Sequence, residues 1–321
     1  MTSEASPRRR LISIIVPAYN ESECVDELAR RLQTLFIEES EYVWECVIVE
    51  NGSTDDTWLK LKRIHQEDSR FKIVRLARNF LMDGGLTAGL AYVTGDACVF
   101  MTADLQDPPE MISVFLRKWE EGFENVYGVV TERRGTGPIR TMNSKAYYWL
   151  AGKLTDNRMP KNASDFRLLD RRVYEALRTM EERNRFMRGL VAWVGFESIG
   201  VPMERPERFS GKSKAHTAVV LGLAFKGIFA HSLVPLRIIT FVGIGTSTLA
   251  LVGLILSTIL WITRGVPFGG FGTIVSLVLL LFGTLAFMLG VVSEYVGLIY
   301  EEVKQRPNFV VAEELGITRR C

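Results

Sequence analysis

The chain has 321 residues, 47% of them hydrophobic, with a formal net charge of +2. That length holds one large domain or two ordinary ones, and the apolar excess leans away from an ordinary soluble protein. Basic residues cluster beside the apolar runs near the end and aromatic ones sit inside apolar runs, so the pattern argues against a nucleic-acid partner.

The N-terminus, MTSEASPRRR, is basic, but the apolar run after it is short and stops at Pro17 without a small-residue cleavage site. It does not read as a signal peptide, and residues 1–10 are expected to be disordered. From Leu11, β-branched runs alternate with helical ones: LISIIVP, a helix through Leu28 and Leu35, ECVIVE, a helix through Trp58 and Ile64, FKIVRL, a helix near Leu86 to Tyr92, then ACVFM. The alternation predicts an α/β domain with a mixed, mainly parallel sheet, where ligands gather at the carboxyl ends of the strands. AYNES, ENGSTDD, ARNF and TADLQD fall at those ends. No G-x-G-x-x-G and no Walker lysine loop is present, which removes the main support for dinucleotide and P-loop readings. Cys24, Cys46, Cys98 and Cys321 show no pairing or metal spacing, and fit a reducing compartment as small hydrophobes.

After NVYGVV come the loop TERRGTGPIR, a helix through Tyr147 and Leu150, and NASDFRLLDRR. The stretch Ala215 to Val234 carries Lys226 and two histidines and stops at Pro235, which predicts a helix along the membrane surface over 213–235. Ile238 to Thr263 and Gly265 to Ser293 contain no charged side chain, and each exceeds the roughly 20 residues that a spanning helix needs. Two transmembrane helices are expected at about 237–263 and 273–298, within 236–300, followed by a cytoplasmic tail over 301–321. Lys and Arg crowd the segment from Arg205 to Arg237, whereas Arg264 stands alone between the spans. The hairpin therefore enters from the cytoplasm and returns to it, with both termini and the soluble part cytoplasmic. Ser276, Gly283, Gly290 and Gly297 recur every seven residues, which predicts tight hairpin packing and a homo-oligomer. Glu294 is expected to pair with Arg237.

The loop Thr102–Asp107 offers hard oxygen ligands of the kind that hold Mg²⁺ or Mn²⁺ together with a substrate diphosphate. Asp107, before Pro108, is expected to cap the next helix instead.

VPAYNE, the V-x-x-GS-x-D segment, ARNF with AGL after it, ADLQDPPE, SDFRLLDR and RxxRxxGxSK, followed by two apolar runs ending in EYVGLIYEEVKQRP, resemble the polyprenyl-phosphate glycosyltransferases. This group is similar to dolichyl-phosphate mannose synthase and the bacterial bactoprenol glucosyltransferases, and the likeness runs from about Leu11 to Pro307. It implies a Rossmann-like GT-A catalytic domain over 11–212 and a nucleotide-sugar donor. Pro17, Tyr19, Asn20, Glu21, Glu50, Asn51, Ser53, Asp55 and Arg78 would line the nucleotide pocket. Asp104 and Gln106 would hold Mg²⁺ or Mn²⁺, and Asp165, with Asp104, would act at the reacting centre. Arg133, Arg205, Arg208, Ser213 and Lys214 would gather the phosphates of donor and polyprenyl phosphate acceptor. Singly, Asn51–Gly52–Ser53 reads equally as a turn, the Arg205–Lys214 stretch as a basic collar for anionic lipid, and Asp165 as one member of an ion pair.

Four changes, over five positions, depart from the pattern: Thr102 in place of an acid, Asn51 in Glu50–Asn51–Gly52–Ser53, Leu81–Met82 in place of Gly-Lys, and Val130 in place of an arginine. Two readings stay open, an active inverting hexosyltransferase with an altered donor site and an impaired paralogue that binds lipid phosphate or nucleotide as a membrane partner.

Overall fold

The computed structural model describes residues 9–132, 163–206, 234–264 and 270–317. Eight strands make one sheet: β1 (Leu11–Ala18), β2 (Val43–Glu50), β3 (Phe71–Leu76), β4 (Ala97–Phe100), β5 (Asn125–Glu132), β6 (Ala163–Asp170), β7 (Ser198–Glu204) and β8 (Val311–Leu315). Their spatial order is β7-β5-β6-β4-β1-β2-β3-β8. β1 runs parallel to β2 and β4, β2 to β3, and β5 to β7; β6 is antiparallel to β4 and β5, and β8 to β3. This is the mixed, mainly parallel sheet that the strand–helix alternation predicts.

Helices α1 (Val25–Glu38), α2 (Thr57–Glu67), α3 (Leu81–Tyr92), α4 (Met111–Glu120), α5 (Arg171–Thr179) and α6 (Met187–Val194) cover the sheet. α1 turns Val25, Leu28, Leu32 and Leu35 inward at helical spacing, against Ile12, Ile14 and Val16 of β1. Ile15, on the other face of β1, packs with Leu86 and Leu90 of α3. Burial on both faces is why these strands read as continuous apolar runs. Cys46 and Cys98 lie fully buried in β2 and β4, unpaired, as does Cys24 beside α1.

β1 has β2 and β3 on one side and β4 on the other, so the chain reverses its direction of sheet growth between β1 and β4. That topological switch opens a crevice at the carboxyl ends of these strands.

Helices α7 (Val234–Arg264) and α8 (Phe271–Val303) belong to a second compact unit, Ala218–Gln305. Within them, Ile238–Arg264 and Leu277–Val303 are each 27 residues long and apolar enough to cross a membrane. The expected hairpin seam differs. A Cβ on Gly283, Gly290 or Gly297 would meet nothing within 4 Å, whereas one on Gly243 would come within 2.7 Å of Met288 Cε. Contact between the helices thus runs through Gly243 and Met288, and Gly283, Gly290 and Gly297 of α8 are turned away from it. The side chains of Ser276 and Arg237, hence the Glu294–Arg237 pairing, lie outside the described residues, as do residues 213–233 of the surface helix expected over 213–235, the helix through Tyr147 and Leu150, and residues 1–8.

The tail after α8 does more than trail away. Val311–Leu315 adds β8 to the free edge of β3, with Ala77 N donating to Val310 O at 2.9 Å. Tyr92 Oη of α3 donates to Glu314 Oε1 at 2.7 Å.

Candidate active site

The loops after β1, β2 and β3 are cross-braced. Ser53 Oγ accepts from Asn20 N at 3.0 Å, Asn20 Oδ1 accepts from Thr54 N at 2.8 Å, and Thr57 Oγ1 accepts from Glu21 N at 2.9 Å. Asp55 receives Thr57 N and Thr57 Oγ1 on one oxygen and Ser22 N on the other. Burial works against its charge, but these bonds hold the carboxyl below its ordinary range.

Glu50 is fully buried, accepts from Ser53 N at 2.5 Å and lies 3.2 Å from Arg75 Nε. Asn51 gives its whole carboxamide to the next loop: Nδ2 donates to Leu81 O and Oδ1 accepts from Phe80 N, both at 2.9 Å. An aspartate there could not make the first of these bonds. Gly52, at φ 70°, sits so close to Arg78 that a Cβ would lie 2.6 Å from the Arg78 carbonyl carbon. Pro17 is buried beneath α3, Tyr19 is half-buried at the crevice, and Arg78 is exposed with its guanidinium over the Phe80 ring.

Three non-glycine residues adopt left-handed backbone at this edge: Asn20 (φ 53°), Leu81 (φ 64°) and Leu105 (φ 59°), one on each of the loops after β1, β3 and β4. Each costs of order 1–3 kcal/mol, and such strain concentrates where a binding surface needs an exact shape.

The loop after β4 is organised by Thr102. Its hydroxyl lies 2.7 Å from Asp104 Oδ1 and 2.8 Å from Asp107 Oδ2, and its N–H donates to Asp107 Oδ2 at 3.1 Å. A hydroxyl between two carboxylates replaces the third negative charge that an acid would bring. Asp107 is therefore not the expected helix cap: α4 begins at Met111 after Glu110, and the Asp107 carboxylate turns back to Thr102. Burial pushes the Asp107 carboxyl up, opposed by Arg205, whose Nη2 lies 3.6 Å from Oδ1. Gln106 N lies 3.3 Å from Asp104 Oδ1, and Gln106 Nε2 lies 3.5 Å from Pro206 O. The start of the basic motif after β7 thus meets the acidic loop after β4.

Asp165 is on β6, which pairs antiparallel with β4 up to Phe100↔Arg167, two residues along β6 from Asp165. Arg188 of α6 forks onto it. Burial alone would raise the Asp165 carboxyl, but Arg188, with Arg167 and Arg205 behind it, outweighs burial and holds it below the usual range. A cavity of about 450 Å³ opens alongside, lined by Arg167, Arg188, Tyr127 and Asn125 among others. Arg133, Arg208, Ser213 and Lys214 lie outside the described residues.

Among the described residues, no cluster of three His, Cys, Asp or Glu side chains is assembled. The donor set Asp104, Thr102 and Gln106 is one carboxylate plus neutral oxygens. That suits a Mg²⁺-like ion, which keeps waters and takes the rest of its shell from substrate phosphates.

Residues 13–178 match the family model described as glycosyl transferase family 2. The chain belongs to glycosyltransferase family 2. It is 37% identical over 306 residues to an uncharacterized glycosyltransferase of Synechocystis, covering 95% of this chain and 96% of the relative. It is 32% identical over 303 residues to the SfII prophage-derived bactoprenol glucosyl transferase of Shigella flexneri, covering 94% and 97%. Among solved structures, glucosyl-3-phosphoglycerate synthase of Mycobacterium tuberculosis with Mn²⁺, UDP-glucose and phosphoglyceric acid aligns over 68% of this chain and 78% of that one, at 18% identity and a TM-score of 0.47.

The structure of this glycosyltransferase adds two site residues that sequence reasoning missed, Arg188 and Asp83. Asp83 of α3 accepts from Met187 N at the start of α6 at 3.0 Å. Neither belongs to a motif, and only tertiary packing brings both to Asp165.

Proposed function

We propose that this glycosyltransferase moves a hexosyl group from a UDP- or GDP-sugar to a polyprenyl monophosphate at the cytoplasmic face of the cell membrane, with inversion at the anomeric carbon. The observation that carries this reading is the meeting of Arg205, from the basic motif, with Asp107 of the acidic loop, beside the Asp165–Arg188 fork. The full-length similarity to a bactoprenol glucosyl transferase supports the lipid acceptor.

In the proposed reaction an acceptor phosphate oxygen attacks the anomeric carbon as the bond to the nucleoside diphosphate breaks. A phosphate monoester is already anionic near neutral pH, so the step needs positioning and charge neutralisation more than a strong base. Asp165, kept ionised by Arg188, orients the reacting groups. Arg205, with Arg133, Arg208, Ser213 and Lys214, gathers the phosphates of donor and acceptor, the cationic members neutralising their charge. Pro17, Tyr19, Asn20, Glu21, Glu50, Asn51, Ser53, Asp55 and Arg78 shape the nucleotide pocket, of which Asn51 and Asp55 act by bracing loops. Asp104, Thr102 and Gln106 would hold Mg²⁺ or Mn²⁺, which when bound supplies Lewis-acid stabilisation of the departing diphosphate.

The proposed organisation is a catalytic domain over 11–212, a surface helix over 213–235, a hairpin within 236–300 and a cytoplasmic tail. Because β8 pairs with β3, and strands cannot pair across a bilayer, the chain would leave and re-enter the catalytic domain on one side, as a two-helix hairpin requires. α8, 33 residues and about 50 Å long, exceeds the roughly 30 Å hydrocarbon layer. Self-association through the open glycine face of α8 completes the proposal.

A donor screen tests it: full-length protein in nanodiscs with undecaprenyl phosphate, Mn²⁺ or Mg²⁺ and a panel of UDP- and GDP-sugars, read by mass spectrometry. One donor should give a lipid-linked hexose. Nucleotide binding without any lipid product would favour the impaired-paralogue reading.

A further inference from the structure

We propose that Asp83 is a positioning residue for the reacting centre: by capping α6 from α3, it fixes the turn that aims the Arg188 guanidinium at Asp165. The proposal rests on the reading of Asp165 as a group at that centre.

α6 has eight residues and no side-chain N-cap of its own. The side chain of Phe186, which precedes it, makes no capping bond, and the helix ends at Gly195 in left-handed backbone. A helix start leaves N–H groups without intrahelical partners, and here Asp83 Oδ1 accepts the first of them, Met187 N, at 3.0 Å. Arg188 is the next residue along. From that one turn its Nε and Nη2 reach Asp165 Oδ1 and Oδ2 at 2.9 and 2.6 Å. On the other side, Arg185 donates to Met180 O and Leu177 O at the end of α5. The start of α6 is therefore held from two directions, and Asp83 is the hold that comes from the donor side.

The donor-side end is itself rigid. Gly85, two residues on, lies so close to β1 that a Cβ would come within 2.9 Å of Pro17 Cβ and 3.5 Å of Asn51 Nδ2. Asp83 thus joins a turn seated on the nucleotide loops to the arginine that holds Asp165. The charged groups facing it are Arg185 before α6, Arg188 on α6 and Asp165 on β6. Burial first, then Asp165, raises its carboxyl to about 6 against the pull of Met187 N and the two arginines.

The test compares Asp83→Ala, Asp83→Asn and Asp165→Asn in full-length protein, with the donor selected by the screen. Asn keeps an oxygen that accepts from Met187 N; Ala does not. Asp83→Ala should lower kcat by about 10- to 100-fold with the donor KM within about twofold, and move the acid limb of kcat upward by about one pH unit as Arg188 loosens from Asp165. Asp83→Asn should stay within about threefold of wild type in kcat, the acid limb unmoved. Wild-type kcat in Asp83→Ala, or equal impairment in both variants, overturns the proposal. If Asp83→Ala does not fold, amide exchange across α6 in Asp83→Asn decides: near-wild-type protection supports the cap and lost protection overturns it. Asp165→Asn separates the two ideas. Turnover surviving in it refutes the role of Asp165, whereas an inactive Asp165→Asn beside a wild-type-like Asp83→Ala refutes only the role of Asp83.

Discussion

Arg188 grips Asp165 at two points, Nε to Oδ1 at 2.9 Å and Nη2 to Oδ2 at 2.6 Å, joining a helix to a strand 23 residues away in the chain. The fork keeps the carboxylate ionised in a place where burial opposes charge. A planar fork cannot be replaced by a point charge without losing one of the two contacts. Arg188→Lys is expected to lower kcat about tenfold and Arg188→Ala about 100-fold, as the loss of one or two charge-assisted bonds implies. Both should shift the acid limb of the kcat–pH profile upward, because a depressed carboxyl pKa rises when its partner leaves. Steady-state kinetics carried down through the ordinary carboxylate range, to below about pH 4, checks this.

Thr102 is the residue that shares one hydroxyl between Asp104 and Asp107. Thr102→Val should cost about 1–3 kcal/mol, the usual penalty for stranding a buried acceptor. Thr102→Asp should unfold more readily than wild type in chelator, through repulsion among three carboxylates, and gain more than wild type from added Mn²⁺. Thermal midpoints with EDTA and with Mn²⁺ measure both effects.

Much of this fold is legible in the sequence. β1, β2 and β4 are apolar runs because helices cover both their faces, and AYNES, ENGSTDD, ARNF and TADLQD mark the crevice because polar residues follow those runs. β8 escapes such a reading, since VAEEL is a short polar edge strand made regular only by the β3 edge it meets. The same holds for the partners in the site. Asn51 reads as a turn residue, and nothing local shows that its carboxamide spans to Phe80 and Leu81. The small-residue stripe of α8 was legible as a pattern, but which face meets α7 is set by Gly243 against Met288.

At the opposite end of the sheet, Glu45 is buried and accepts from Ser13 Oγ and Lys72 Nζ, each at 2.5 Å, and from Thr94 N at 2.8 Å. Burial would raise its carboxyl, yet Lys72, Ser13 and Thr94 lower it. A lowered folded pKa means that the stabilisation is present above the unfolded value and lost as pH falls through the folded one. Glu45→Ala should cost about 3 kcal/mol at pH 7, by leaving the half-buried Lys72 unpaired. The deficit should shrink below pH 4, as denaturant titrations at several pH values would record.

β8 covers the edge of β3 beside Ala77 and Arg78. Truncation after Arg306 should expose that edge and weaken UDP binding more than tenfold if Arg78 contributes to the nucleotide pocket, measured by calorimetry on the detergent-solubilised protein. Unchanged affinity would separate the tail from the donor site.

The most direct measurement is the anomeric configuration, by NMR, of the lipid product formed from an α-linked nucleotide sugar and undecaprenyl phosphate in nanodiscs. A β-linked polyprenyl phosphohexose is the predicted result, its formation abolished in Asp104→Asn. An α-linked product, or undiminished transfer by Asp104→Asn, would contradict a single displacement at a diphosphate held by the loop after β4.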